Sequence, residues 1–159
     1  MKWLKLSEEH NLPRMASIQN EYSLLCRLYD HDLREISMAE ECGLLAWSPL
    51  SRGILSGKYV DGARPERTRI SMETRPEHRL TEQCNAAVKA YMKVAKKHGL
   101  DVCQMALAFV NRQPFVTSTL IGATTMEQLK TNIASIDLEL SDEVLKDIET
   151  VYKDYPLPY

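Results

Sequence analysis

Residues 44–59, LLAWSPLSRGILSGKY, constrain the fold more than any other stretch. The short apolar run ending in Trp47 predicts a fully buried strand. It breaks at Ser48-Pro49 into a polar segment punctuated by Gly53 and Gly57, which carries Arg52, Lys58 and the hydroxyls of Ser48, Ser51 and Ser56. A buried parallel strand that ends in an aromatic and opens into a basic, glycine-bearing loop is how α/β barrels build sites at their C-terminal face. An exposed turn with chance serines has the same composition, so the stretch alone leaves both readings open.

The chain around it alternates. Residues 2–10 predict a helix stopped by Asn11-Leu12-Pro13, and residues 15–20 a short strand ending in amides and Tyr22. From Asp30 to Cys42, Leu33, Ile36, Met38 and Ala39 fall near helical spacing, with Gly43 placed as the C′ residue in the left-handed conformation. Helix, strand, helix, strand argues for a parallel sheet with right-handed crossovers.

Residues 61–79, DGARPERTRISMETRPEHR, have no apolar periodicity. Arg64, Arg67, Arg69, Arg75 and Arg79 lie there, with Arg52 just upstream. A loop of this length in a compact domain is usually functional or mobile. Arginine forks suit phosphate, so an anion-binding flap and a solvated surface loop are the two readings.

Beyond it, Thr81 caps a helix that Gly99 ends, and Asp101 caps another with Gln104 as its capping-box partner. That second helix, through about Arg112, is apolar nearly all round. Residues 116–121, VTSTLI, predict a third strand. It runs through Gly122-Ala123-Thr124-Thr125 into a helix with a second capping box, Thr125 and Gln128. A helix N-terminus after such a turn offers free N–H groups and a favourable dipole to phosphate. A last helix starts at Ser141.

A formal net charge of −2 gives no case for nucleic acid or an anionic membrane as partner. No apolar run approaches the length of a membrane span. Residues 1–15 lack a signal peptide's apolar core, and Cys26, Cys42, Cys84 and Cys103 stand apart with no C-x-x-C pair. Reduced thiols in the cytoplasm are therefore expected. The scattered His10, His31, His78 and His98 predict no metal site.

Four blocks together resemble the aldo-keto reductase superfamily: IQNEYSLL (18–25), LLAWSPLSRGILSGKY (44–59), HGLDVCQMALAFVNRQPFV (98–116) and STLIGATTMEQLKTNI (118–133). They are most similar to its Tas-type bacterial members and, more distantly, to its potassium-channel β-subunit branch. The resemblance covers essentially the whole chain. It implies a (β/α)8 TIM barrel that binds NADP(H) without a Rossmann motif and reduces aldehydes or ketones by hydride transfer. Under it, Gln19 bonds the nicotinamide carboxamide and Trp47 stacks on the nicotinamide ring. Ser48, Pro49, Leu50, Ser51 and Gly53 line the diphosphate, Lys58 belongs to the same loop, and Arg69 closes over the cofactor. Gly122, Ala123, Thr124, Gln128 and Asn132 match the turn and helix that hold the adenosine 2′-phosphate and adenine.

The resemblance also carries a departure. A complete barrel has eight strands in about 250 residues, and the pattern here gives three. The expected architecture is a partial α/β barrel, the last three βα units plus C-terminal helices, forming over residues 1–159 a C-terminal, cofactor-binding part without its N-terminal half. The family's catalytic Asp, Tyr, Lys and His match no position, so no catalytic residue is assigned. The expected partner is a small-molecule carbonyl compound. The three readings are a reductase segment that acts with its other half, a non-catalytic dinucleotide-binding module, and an inactive truncated product. Two open sheet edges further predict instability or a homo-oligomer that covers them.

Overall fold

A computed structural model describes residues 2–159. Its centre is a three-stranded parallel sheet in the order β1-β2-β3: β1 (Ser17–Glu21), β2 (Gly43–Trp47) and β3 (Val116–Thr119). Helix α1 (Lys2–Glu9) precedes β1, and α2 (Leu33–Ala39) joins β1 to β2. Helices α3 (Glu82–Lys97) and α4 (Val102–Asn111) join β2 to β3, and α5 (Met126–Ala134) and α6 (Asp142–Asp154) follow. The fold is mixed α/β with consecutive parallel strands, each followed by helix, as the order of apolar patterns predicts.

Register sorts the side chains. Gln19 pairs with Leu45 and Leu45 with Ser118, while Glu21 pairs with Trp47 at the strands' carboxyl ends. These residues share one face. Leu44 and Ala46 point the other way and are wholly buried. Trp47 and Leu45 are only half-buried, so β2 is covered on one face rather than on both.

The helices cover the Leu44 side. On α3, Cys84, Ala87, Val88, Tyr91, Val94 and Ala95 are buried at three- and four-residue spacing, the stripe of a helix lying on a core. Six consecutive buried residues, Met105–Val110, make α4 the central helix. Each fully buried aliphatic side chain there contributes about 1.5–3 kcal/mol. Tyr22 packs edge-on to Phe115 at 5.3 Å and stacks on Phe109 at 6.3 Å.

Besides the full burial expected of β2, which is covered on one face only, three local expectations are corrected. Helix α2 is shorter than the 30–42 pattern, because a separate turn of 3-10 helix, Leu28–Asp30, precedes it. Gly43 is not the C′ residue. Glu41 takes the left-handed turn (φ 51°), and Gly43 opens β2, where a side chain would strike Thr117. Both capping boxes are half-made. Asp101 and Thr125 accept from the N–H groups of Gln104 and Gln128. The glutamine side chains turn elsewhere, Gln104 to the Thr131 carbonyl and Gln128 to Thr124.

Candidate functional site

Parallel strands deliver their following loops to one end of a sheet, which is where α/β proteins place ligands. The loop after β2 is the most contorted backbone in the chain. Ser48 (φ 54°), Ser51 (45°), Arg52 (59°), Gly53 (89°) and Gly57 (78°) all adopt left-handed conformations within ten residues. Each non-glycine residue held there costs on the order of 1 kcal/mol or more, and such strain gathers at functional sites.

Buried groups hold the loop in place. Pro49, Ser51, Ile54 and Leu55 are buried. The Ser51 N–H donates to the Ser48 carbonyl at 2.7 Å, and the Gly53 N–H to that of Leu50 at 2.9 Å. Ser51 is wholly buried, with its hydroxyl 3.1 Å from that of Ser23. Its hydroxyl is thus a brace within the core, whereas Ser48, Leu50 and Gly53 are half-exposed.

Lys58 folds back over this loop. Its Nζ stands 3.0 Å from where a Cβ on Gly53 would lie and 5.3 Å from the Tyr59 ring centroid. No carboxylate lies within ion-pair distance of Lys58 among the described residues. Gly53 is therefore held by its positive φ, while the flexible Lys58 terminus above it can move aside.

The third loop, Leu120–Thr125, follows β3 and is tied beside β2 by the Leu120 N–H to the Ala46 carbonyl, 2.8 Å. Gly122 has no atom within 4 Å of a would-be Cβ. The buried Asn132 donates Nδ2 to the Gly122 carbonyl at 3.4 Å, and Gln128 Oε1 accepts from the Thr124 N–H at 3.0 Å and hydroxyl at 3.1 Å. Asn132 and Gln128 thus shape the turn, while Gly122, Ala123 and Thr124 stay exposed at the N-terminus of α5.

The register puts Gln19 opposite Leu45 and Trp47 opposite Glu21, so Gln19 and Trp47 lie on one face of the sheet two register positions apart, and Ser48 opens the loop that follows Trp47. Arg69 is exposed on the 61–79 excursion, and its Nε is 3.9 Å from Glu73.

A charged cluster gathers on Glu21, opposite Trp47, from Arg79, Glu77 and Tyr159, with Arg52 joining through Glu77. Arg79 grips Glu21 with both Nη2 contacts, 3.0 and 3.1 Å, and reaches Glu77 at 3.0 Å. Glu77, its side chain fully enclosed, also accepts from Arg52 at 2.6 Å, and Arg52 pairs in turn with Glu73. The Tyr159 hydroxyl donates to Glu21 at 3.1 Å. Burial pushes Glu77 upward, but the Arg79 N–H and guanidinium and the Arg52 charge prevail and hold its carboxyl below the usual range. Burial, then the nearby Glu21 charge, raises the Tyr159 phenol.

Two of the six arginines, Arg52 and Arg79, are thus paired inside the protein. Glu21 could have been found from sequence, since it lies two residues beyond Gln19 and so on the same face. Tyr159 carries no such signal, and the pairing of Arg79 with Glu21 does not show in the sequence, because long-range folding brings them together.

Among the described residues no group of three or more His, Cys, Asp or Glu side chains is gathered to hold a metal ion. No helix is long and apolar enough to cross a membrane.

The sequence profile described as the aldo/keto reductase family matches residues 1–153. Protein tas of Escherichia coli K12 is 52% identical over 158 residues, 99% of this chain and 46% of that protein. L-glyceraldehyde 3-phosphate reductase of Escherichia coli O157:H7 is 32% identical, covering 93% of this chain and 44% of its own length. A Schizosaccharomyces pombe protein, provisionally named a voltage-gated potassium channel subunit beta, is 30% identical over 96% of this chain and 46% of itself. The chain therefore spans about half the length of these relatives. With its βα order, its strained loop after Trp47 and this match along nearly all its length, the chain belongs to the aldo/keto reductase family.

Proposed function

We propose that the chain is the cofactor-holding part of an NADP(H)-dependent oxidoreductase that reduces a small aldehyde or ketone. One observation carries this reading. Gln19 and Trp47 share one face of a parallel sheet, and the strained loop that follows Trp47 folds Lys58, which has no acidic partner among the described residues, back over Gly53. Flat apolar ring, amide and ammonium are the partners that a nicotinamide and its diphosphate require.

The residues present fit such a group. Trp47 is half-buried, so one part of its ring is supported and the rest is open to stacking. Gln19 is exposed beside Leu45, in reach of a carboxamide on the same face. Lys58 and the half-exposed Ser48, Leu50 and Gly53 suit the diphosphate, and Gly122 leaves its turn open for close backbone approach. Thr124 and Arg69 would meet the adenosine 2′-phosphate, with Gln128 and Asn132 fixing the turn. Pro49 and Ser51 hold the loop's shape from the core. Bound there, a dihydronicotinamide supplies the hydride for carbonyl reduction. The chain's own part is to hold and orient it.

The test is an NADPH titration of the 159-residue chain, following Trp47 emission, with Trp47→Phe as control. Saturable quenching that disappears in the variant, leaving only the exposed Trp3 to report, supports the reading. A folded chain that shows no saturable quenching overturns it.

A further inference from the structure

Among the described residues, Glu73 is the one exposed carboxylate on which two arginines converge. Arg52 pairs with its Oε1, and Arg69 Nε stands 3.9 Å from that same oxygen. Arg52 is anchored at its other nitrogen by Glu77, whose side chain has no exposure. Its Nε is buried without a hydrogen-bond partner. Glu73 is 37% exposed at its side chain, against 0% for Glu77 and 14% for Glu21. Of the three carboxylates in the network, Glu73 is therefore the one that solvent, or an incoming anion, can replace.

The charge count points the same way. Arg52, Arg69 and Arg79 face Glu21, Glu73 and Glu77, three guanidinium groups against three carboxylates. The two enclosed carboxylates are committed to Arg79 and Arg52. If Glu73 leaves, one cation is in surplus on the solvent side, with forked donors that match phosphate. Lys58, without an acidic partner among the described residues, lies further along the loop that carries Arg52. An ion pair this exposed holds with at most about 1 kcal/mol, so exchange for a better anion costs little.

We propose that Glu73 is an internal counter-anion: its carboxylate fills the point where Arg52 and Arg69 converge and competes there with a phosphate group of the ligand. The inference deepens the dinucleotide reading and rests on it only for the ligand's identity. It makes Glu73 a specificity-determining residue, because it sets how strongly the site favours a phosphorylated ligand over an uncharged one. No bond is made or broken; one anion displaces another.

Glu73→Gln keeps the size of the side chain and removes its charge. Binding of inorganic pyrophosphate is measured by calorimetry, and of NADPH by Trp47 quenching, in the parent chain, Glu73→Gln and Glu73→Gln/Arg52→Gln. Glu73→Gln is expected to bind pyrophosphate roughly fivefold more tightly, the scale of one exposed ion pair. The dependence on salt steepens, since one more cation is uncompensated. The double variant loses the gain.

Equal or weaker pyrophosphate binding by a folded Glu73→Gln, or no binding by either chain, overturns the proposal. A gain for pyrophosphate without any NADPH quenching sustains it and removes the dinucleotide reading. Equal NADPH binding in both chains, with no gain for pyrophosphate, does the reverse. If Glu73→Gln does not fold, Glu73→Asp draws the carboxylate back by one methylene and is expected to give part of the gain; unchanged pyrophosphate affinity in that variant overturns the proposal.

Discussion

Thr117 on β3 fills the space that a Cβ on Gly43 of β2 would need. The contact lies at the start of the β2–β3 pairing, just before the register shifts between Leu44 and Leu45. Gly43→Ala must push the strands apart or turn Thr117 out, and overpacking of this kind costs about 1–3 kcal/mol. Urea denaturation reads the loss as a lower midpoint. Thr117→Ala in the same chain is expected to recover part of it, and a second variant as unstable as Gly43→Ala alone would contradict the steric account.

The Arg79–Glu21–Glu77 cluster sets an acid limit on stability. Glu77 titrates below its ordinary value in the folded chain. Its contribution is therefore present above the ordinary carboxylate pKa and is lost as pH falls through the folded value. Glu77→Gln is expected to flatten the decline in unfolding free energy below about pH 4.5, the region where unfolded glutamates protonate. Arg79→Met leaves Glu77 and Glu21 without their shared partner, and removing one member of a buried pair costs about 3–5 kcal/mol. Chemical denaturation at pH 7 measures it.

Arg27 pins the exit of β1 to α6. Its guanidinium lies 3.9 Å from the Tyr152 ring centroid and 5.1 Å from that of Phe109, while Nε pairs with Asp30 at 2.7 Å and Nη1 with Glu149 at 2.9 Å. A lysine cannot stack as a plane and pair at two separate nitrogens together. Arg27→Lys is expected to lose about 1.5–3 kcal/mol, the worth of one charged hydrogen bond. A melting temperature unchanged from the parent would rule this out.

Lys58→Gln separates binding from folding. Among the described residues the ammonium has no carboxylate to lose, so thermal stability should hold, while NADPH affinity falls about tenfold, as for one charge-assisted contact of about 1.4 kcal/mol. Fluorescence titration beside a thermal melt reads both.

The outer edges of β1 and β3 carry strand backbone with no neighbour in the sheet. Apolar side chains lie exposed around them, among them Leu12 and Met15 before β1 and Leu120, Ile121 and Ile133 after β3. The 159-residue chain is expected to associate through these edges. Light scattering that finds only a monodisperse monomer contradicts this.

Much of the architecture is legible from local pattern. The caps at Thr81, Asp101 and Thr125, the helix start at Ser141 and the helix end at Gly99 all form within a few residues and are found where the sequence puts them, whereas the buried stripe of α3, which takes in Cys84, Val88 and Tyr91, emerges only from the packing. Gln19 and Trp47 lie within one strand pair, on one face two register positions apart, and the strained loop follows directly. The role of Gly43 is not legible, because its constraint is a side chain on another strand. The inward turn of Ser51 toward Ser23 could not be read from the polar composition of its loop either.

The sequence by itself determined the order of strands and helices and the loops that follow the strands, whereas the face of β2 that meets the core was decided by the fold. Periodicity and capping chemistry act over a few residues, and the chain states them openly. Tertiary structure alone decided which charges are spent. Arg52 reads as a free cation until folding brings Glu73 and Glu77 against it across more than twenty residues, and Arg79 until it meets Glu21 across fifty-eight, whereas Lys58 has no acidic partner among the described residues. Ion pairing depends on distance in space and on burial, and neither is written in the spacing of residues along a chain.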